Sequence, residues 1–424
     1  MTTYASRMPA SSRPRPRVSR AAWQVLVLAT LGFALNFWAW TLLSPLGPRF
    51  EQGLGLSAFE LSMVVAVPVI VGSLGRIPVG ALTDRLGGRV MFPAVSLITV
   101  LPVLFIGLGG HASFAALLAG GFVLGIGGTA FAIGIPVVNA WFPAHRRGLA
   151  LGIYGAGMGG SAIAALTTVP LVNTVNIRFP FLLAAAVLIA YALIAAWLLR
   201  DAPGRQISGG SVIRRLASTV RLPVTWRASG VYALSFGGFV AFSVYLPTYL
   251  SNSYGLADAD AAGRMGGFVL VAVVARPVGG WLSDRLHPTR VLAGAYGTVA
   301  ACAALQAFAP PLMPLGTVLL LVIAAALGAG AGATFALVAL LTSPERVGAV
   351  TGFVGAAGGL GGFVPPLLMG AFYGWLDSYA VGLGLLACTA LVVGILISRM
   401  GQRVPEAALD RMVPREAGPG RSPR

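Results

Sequence analysis

Twelve apolar runs of about 20 residues, each long enough to cross a hydrocarbon core of roughly 30 Å, dominate the sequence. They fall near 22–45, 58–82, 90–110, 113–141, 148–172, 180–199, 227–250, 263–283, 290–309, 314–342, 347–373 and 378–398, and are called spans 1 to 12. In a bilayer each backbone N–H and C=O must be paired within the protein, so runs of this length are read as helices. With 57% hydrophobic residues and only 10% charged, the chain is too apolar for a soluble globular domain. The expected fold is an all-α polytopic membrane protein.

Most connections between runs are short. The exception is 200–226, a polar, basic linker that separates an N-terminal six-helix bundle (22–199) from a C-terminal one (227–398). The tails, 1–21 and 399–424, are rich in Pro, Ser and Arg without apolar periodicity and are expected to be disordered. A net charge of +17 would suit a nucleic-acid binder only if the basic residues shared one folded polar face. Here they lie in tails and alternate loops: Arg7, Arg13, Arg15, Arg17 and Arg20, then Arg85 and Arg89, Arg146 and Arg147, Arg200, Arg205, Arg214, Arg215 and Arg221, Arg285 and Arg290, Arg399 and Arg403. The opposite loops hold Arg49, Arg178 and Arg264. This asymmetry places both termini in the cytoplasm, in a multi-pass protein of the cell's inner membrane. Cys302 and Cys388 fall within apolar spans, and His111, His145 and His287 in loops, so neither a disulfide framework nor a metal-ligand spacing is present.

The halves repeat each other. Arg76, Gly80, Asp84 and Arg85 in RIPVGALTDR recur 200 positions later as Arg276, Gly280, Asp284 and Arg285 in RPVGGWLSDR. The same shift pairs Gly152, Gly155 and Gly159 with Gly352, Gly355 and Gly359. Two six-span repeats that start on the same side are parallel, the arrangement in which two bundles rock about a site between them.

The repeated loop G-x-x-x-D-R-x-G-x-R resembles the cytoplasmic signature of the major facilitator superfamily, and the resemblance covers the whole membrane portion. It implies that Asp84, Arg85, Arg89, Asp284, Arg285 and Arg290 gate the cytoplasmic side. A tight turn with topology-setting arginines would explain Arg85 and Arg89, but not an Asp at the same place in both halves.

Asp84 marks the end of span 2, and the eight residues back to Arg76, at about 1.5 Å each, put that arginine roughly 12 Å further in, near the bilayer midplane. Arg276 lies at the same depth in span 8. A central arginine costs at least ~2.5–3.5 kcal/mol and cannot deprotonate, so both must face a cavity or a partner. Glu60 is sixteen residues from Arg76, at the outer end of the span. Backbone carbonyls are one possible partner; a symmetric pair without a nearby acid points to an anion.

Four stretches narrow the resemblance to the nitrate/nitrite porters of that superfamily: NFWAWTLLSPLGP (36–48), GRIPVGALTDRLGGR (75–89), FAIGIPVVNAWFPAHRRGLALGIYGAG (131–157) and ARPVGGWLSDR (275–285). The resemblance implies that Arg76 and Arg276 clamp a small planar anion, with Phe131, Tyr232 and Phe236 around it. Taken alone, these rings are equally readable as core packing. The glycine stretches at 155–160 and 355–362 match the family's signature on spans 5 and 11; Gly155, Gly157, Gly355 and Gly358 are read either as substrate-contacting or as close-packing residues. The chain departs from the family at Met158, where the family has an Asn, which implies one polar contact fewer.

The functional expectation is a carrier of nitrate, nitrite or both, exchanging one for the other by alternating access, monomeric and without cofactor or metal. The alternatives are proton-coupled nitrate symport and a carrier of another small anion, such as cyanate or formate. Symport normally uses a titratable group in the path, and the spans offer no Asp, Glu or His there. A membrane enzyme would need a nucleophile, a metal or paired carboxylates, none of which is found. A sensor would add a folded domain or a signalling motif, for which the tails are too short.

Overall fold

The computed structural model describes residues 18–143, 146–203, 217, 219–342 and 347–401. His145, most of the linker with Arg205, Arg214 and Arg215, and the tails with Arg7, Arg13, Arg15, Arg17 and Arg403 lie outside the described residues. Among the described residues there is no strand, and each of the twelve runs is helical.

Span 1 is Arg20–Trp40, capped by the Ser19 hydroxyl, which accepts from the Ala22 N–H at 3.1 Å. It ends before the expected 45 and turns through Ser44–Leu46 and Gly47–Leu54, where Pro45 and Pro48 seat at helix starts. Span 2 starts on a Ser57/Glu60 capping box and comes in two pieces, Ala58–Leu74 and Arg76–Leu86. Gly87, at φ 86°, makes the tight turn into span 3, Gly88–Leu108. Span 4 is Phe114–Leu124 and Ala130–Trp141 joined by a 3-10 turn, Gly125–Thr129. Span 5 has the same construction: Arg147–Gly155, a 3-10 turn at Ala156–Gly159, then Gly160–Thr174. Span 6 is Phe179–Leu198, span 7 Pro223–Tyr254, span 8 Asp258–Arg285, span 9 Pro288–Gln306, span 10 Thr317–Leu341, span 11 Val347–Leu376 and span 12 Ala380–Gly401.

Among the described residues, eleven segments are long and apolar enough to cross a membrane. Span 9 is not among them, because Arg290, Gln306, Gly294 and Gly297 dilute its 19 residues. It is nevertheless built into the bundle: it packs along span 12, and its Gln306 is fully buried and donates to the hydroxyls of Tyr249 and Tyr254.

The halves meet where span 2 runs along span 11 and span 5 along span 8. Small residues permit the approach: a Cβ on Gly152 would come within 2.9 Å of the Pro277 Cα, and one on Gly280 within 2.7 Å of the Gly148 carbonyl. Spans 3 with 6 and 9 with 12 form the flanks, where Leu101, Phe105, Leu193 and Leu391 are exposed. An apolar exterior on these flanks is what a lipid-facing surface requires, and it leaves the interior seam for polar chemistry.

Candidate functional site

Arg76 is the first residue of the second piece of span 2, immediately after the break at Gly75. Its side chain is 0% exposed. Nε donates to the Gly128 carbonyl at 3.2 Å, and Nη1 to the Gly355 carbonyl at 2.6 Å, while the buried Nη2 has no hydrogen-bond partner. Gly128 belongs to the 3-10 turn of span 4 and Gly355 to span 11, so this one guanidinium bonds to both halves.

Arg276, at the matching place on span 8, is 1% exposed. Nη1 donates to the Met158 sulfur at 2.9 Å and Nη2 to the Tyr232 hydroxyl at 2.9 Å, and here Nε is the buried nitrogen without a partner. It too crosses the seam, since Met158 lies in the 3-10 turn of span 5 and Tyr232 on span 7. A Cβ on Gly155 would fall on this guanidinium, just as one on Gly359 would approach Arg76 Nη1 at 3.3 Å. The glycine stretches of spans 5 and 11 therefore make room for the two arginines.

Three nearly parallel rings cluster beside the charges. Tyr232 and Phe236 stack at 5.0 Å and 3°, and Phe131 joins them at 5.9 Å and 15° from Tyr232 and 5.6 Å and 17° from Phe236. The Arg76 guanidinium carbon is 5.0 Å from the centroids of both Phe131 and Phe236. That of Arg276 is 5.6 Å from Phe131, 5.7 Å from Phe236 and 5.9 Å from Tyr232. Cation–π contacts of this kind contribute about 0.5–2 kcal/mol each, more where water is excluded.

The partners of both guanidiniums are neutral: two carbonyls, a hydroxyl, a thioether and ring faces. They satisfy hydrogen bonds without cancelling charge, so the site holds two positive charges and two unpartnered donor nitrogens, Arg76 Nη2 with two N–H groups and Arg276 Nε with one. Burying two charges without a counter-charge is costly.

The structure thus gathers Arg76, Arg276, Tyr232, Phe236, Phe131, Met158, Gly155 and Gly355 in one buried place. Gly358 backs it, because a Cβ there would strike the Tyr232 ring. Gly157 turns elsewhere: it packs on Phe33 of span 1, and its role is close helix contact. Residues the sequence did not single out also belong here. Ser73, buried one turn before Arg76, lies against Gly359. Phe335 of span 10 meets Tyr232 edge-on at 4.7 Å and 69°. The Tyr154 hydroxyl is 2.9 and 3.0 Å from the carbonyls of Ala130 and Phe131, fixing the first turn of the helix that carries the Phe131 ring. Ser73 had no sequence signal, since Val273 stands at its place in the second half; Gly128 recurs as Gly328, but a backbone carbonyl is offered by every residue and so marked nothing. Phe335 is the one aromatic of the Thr317–Leu341 helix, a signal the sequence reading did not use.

At the end of the molecule that holds both described termini, the Asp284 carboxylate lies against Gly148 and accepts from the Leu149 backbone N–H, at the start of the Arg147–Gly155 helix. A carboxylate there is favoured by the exposed N–H groups of the helix terminus. This contact ties span 8 to span 5 across the seam. Asp84 is half-buried at the corresponding end of span 2. Arg285 places its guanidinium 4.2 Å from the Trp281 ring on its own helix. Arg89 stays within its half, with Nε donating to the Ala196 carbonyl at 3.4 Å, and Arg290 is exposed.

The chain matches the model of the Major Facilitator Superfamily over residues 29–366 and 265–418. It is 47% identical, over 87% of its length and 93% of the relative's, to the probable nitrate/nitrite transporter NarK2 of Mycobacterium tuberculosis. Over 86% of its length and 87% of the relative's, it is 31% identical to the probable nitrate/nitrite antiporter NarK1 of Thermus thermophilus. In fold it is similar to the crystal structure of the human organic anion transporter MFSD10 (TETRAN), with a TM-score of 0.73 at 16% identity, covering 89% of this chain and 100% of that one.

Proposed function

The chain belongs to the major facilitator superfamily and, within it, to the nitrate/nitrite porters, and on that footing we propose that it carries nitrate and nitrite across the inner membrane by alternating access, exchanging one for the other. The observation that carries this reading is the pair Arg76 and Arg276, fully buried, each with an unpartnered donor nitrogen, and both within 6 Å of the same cluster of aromatic rings. Nitrate is flat, delocalised and weakly hydrated. It suits planar guanidinium forks and the positive edges of aromatic rings. The names of the relatives support the substrate class.

In this reading the two bundles rock about the arginine pair, and each arginine senses both halves because its partners lie on both. Both termini face the cytoplasm, where the arginines of the alternate loops collect. The Asp284 contact with the start of span 5 closes the cytoplasmic side and must part when that side opens. Exchange follows from electrostatics: closing the seam around two like charges in a dry site is unfavourable, and one monovalent anion replaces their repulsion by two attractions. No Asp, Glu or His is among the partners of either guanidinium, so no side chain there offers proton coupling. One chain supplies every residue of the site, consistent with a working monomer.

Uptake into liposomes containing the purified protein, against a panel of nitrate, nitrite, formate and cyanate, tests the substrate. Nitrate and nitrite should enter and compete with each other. Faster entry of formate or cyanate would overturn the assignment.

A further inference from the structure

Away from the arginine pair, the C-terminal half contains a compound cavity. Its larger part, of about 280 Å³, lies between spans 7, 11 and 12 and is lined by Ala233, Phe242, Pro365, Met369, Leu386 and Thr389 among others. It exists because span 12 packs along span 9 and makes few contacts with spans 7 and 11. Leu368 and Leu385, 41% and 46% exposed, line its mouth on the lipid-facing side. In the other half Tyr191 reaches across from span 6 to span 1, its hydroxyl donating to the Leu28 carbonyl at 3.0 Å.

A second, polar chamber of about 230 Å³ adjoins the first, and both are lined by Tyr249 and Leu383. It sits at the end of the molecule opposite the termini, with Asn252, Gln306, Tyr373, Asp377 and Tyr379 in its walls. Gln306 is 0% exposed, and its Nε2 donates to Tyr249 at 2.8 Å and Tyr254 at 3.0 Å, while the buried Oε1 has no partner. An orphaned buried amide oxygen costs about 1–3 kcal/mol unless a donor reaches it. The Asp377 carboxylate lies beside Tyr373, and the Tyr373 and Tyr379 rings stack at 4.4 Å and 14°. Among the described residues, no arginine lines either part.

We propose that this cavity holds one phospholipid with a primary ammonium headgroup, of the phosphatidylethanolamine class, one of its two acyl chains between spans 7, 11 and 12, the other in the bilayer, and its ammonium in the tyrosine chamber. The ammonium supplies what the walls lack: N–H donors for Gln306 Oε1, a positive charge for Asp377, and a cation for the aromatic faces. A trimethylammonium has the charge but no donor, and a glycerol headgroup has donors but no positive charge. The apolar part lies at membrane depth and opens to the flank, which admits a chain from the bilayer and not a solute from water. The inference rests on the chain's being embedded in a membrane and is independent of which anion it carries.

Native mass spectrometry of the full-length, delipidated protein tests it, with phosphatidylethanolamine, phosphatidylcholine and phosphatidylglycerol of identical acyl chains offered one at a time. Phosphatidylethanolamine should be retained at lower concentration than either of the others. Asp377→Asn should weaken its retention about two- to fivefold, as expected for loss of one solvent-exposed charge contact; Asp377 has φ 49°, which Asn adopts readily, so the backbone is preserved. Gly230→Phe should weaken retention of all three lipids, because Gly230 lines the apolar part and a Cβ there meets nothing within 4 Å. Size-exclusion chromatography confirms that both variants are folded. Equal retention of the three lipids by the wild type, preference for phosphatidylglycerol or phosphatidylcholine, or unchanged phosphatidylethanolamine binding in either variant would overturn the proposal.

Discussion

Replacing Arg76 by lysine keeps the charge and removes the geometry, and the structure shows what each is worth. The guanidinium uses three nitrogens in three directions: Nε toward Gly128, Nη1 toward Gly355, and Nη2 unpaired in the site. A lysine has one ammonium at the end of a shorter, flexible stem. It can stay with one of the two carbonyls or point into the site, but it cannot bridge spans 4 and 11 and also hold an anion. Loss of one charge-assisted hydrogen bond to the substrate costs about 1.5–3 kcal/mol, which is roughly a 10- to 150-fold fall in kcat/KM for nitrate. The released carbonyl, buried without a donor, further destabilises the fold by ~1–3 kcal/mol. Initial rates of labelled nitrate uptake into nitrite-loaded liposomes, at equal reconstituted protein, measure the first effect; thermal unfolding in detergent measures the second. Wild-type kcat/KM in Arg76→Lys would refute the reasoning, because it would mean that positive charge alone holds the anion.

Three other substitutions probe separate parts of the account. Met158→Asn should tighten nitrate by about one neutral hydrogen bond, roughly 0.5–1.5 kcal/mol, since the Met158 sulfur already touches Arg276 Nη1 at 2.9 Å; isothermal titration with nitrate reads this, and unchanged affinity contradicts it. Gly155→Ala puts a Cβ onto the Arg276 guanidinium, so it should abolish most uptake while normal amounts of protein reach the membrane, and wild-type uptake would show that the site relaxes around the methyl. Asp284→Asn removes the charge at the start of span 5, worth about 0.3–1 kcal/mol, and should change the rate of exchange severalfold at most while leaving nitrate affinity intact; a change in affinity alone would place Asp284 in binding rather than in closure.

Much of the architecture was legible because bilayer length and the 200-residue shift are both written directly in the sequence. Arg76 and Arg276 announced themselves as charges where charge is costly, and their recurrence fixed the depth of the site. What was not legible lies in the backbone and in helix faces. The 3-10 turns at Gly125–Thr129 and Ala156–Gly159 set the places of Gly128 and Met158, yet they fall within apolar stretches that read as continuous helix. A helix that is apolar all round does not reveal which side meets its neighbour. For that reason Gly157, two residues from Gly155, seemed equivalent to it, whereas a rotation of roughly 200° around the helix sends it to Phe33 instead of Arg276. Span 9 shows the converse: its Gln306 lowers hydropathy below that of its neighbours, and only the structure reveals the tyrosine hydroxyls that justify it.

The central claim is that a monovalent anion must occupy the arginine pair for the carrier to turn over, and counterflow measures this most directly. Liposomes holding the protein are loaded either with nitrite or with impermeant buffer, and labelled nitrate is added outside, with and without an inward proton gradient. The account predicts rapid entry of nitrate into the nitrite-loaded vesicles, little entry into the buffer-loaded ones, and no rescue of the latter by the proton gradient. Proton-driven accumulation of nitrate in vesicles without internal substrate would contradict exchange and establish symport.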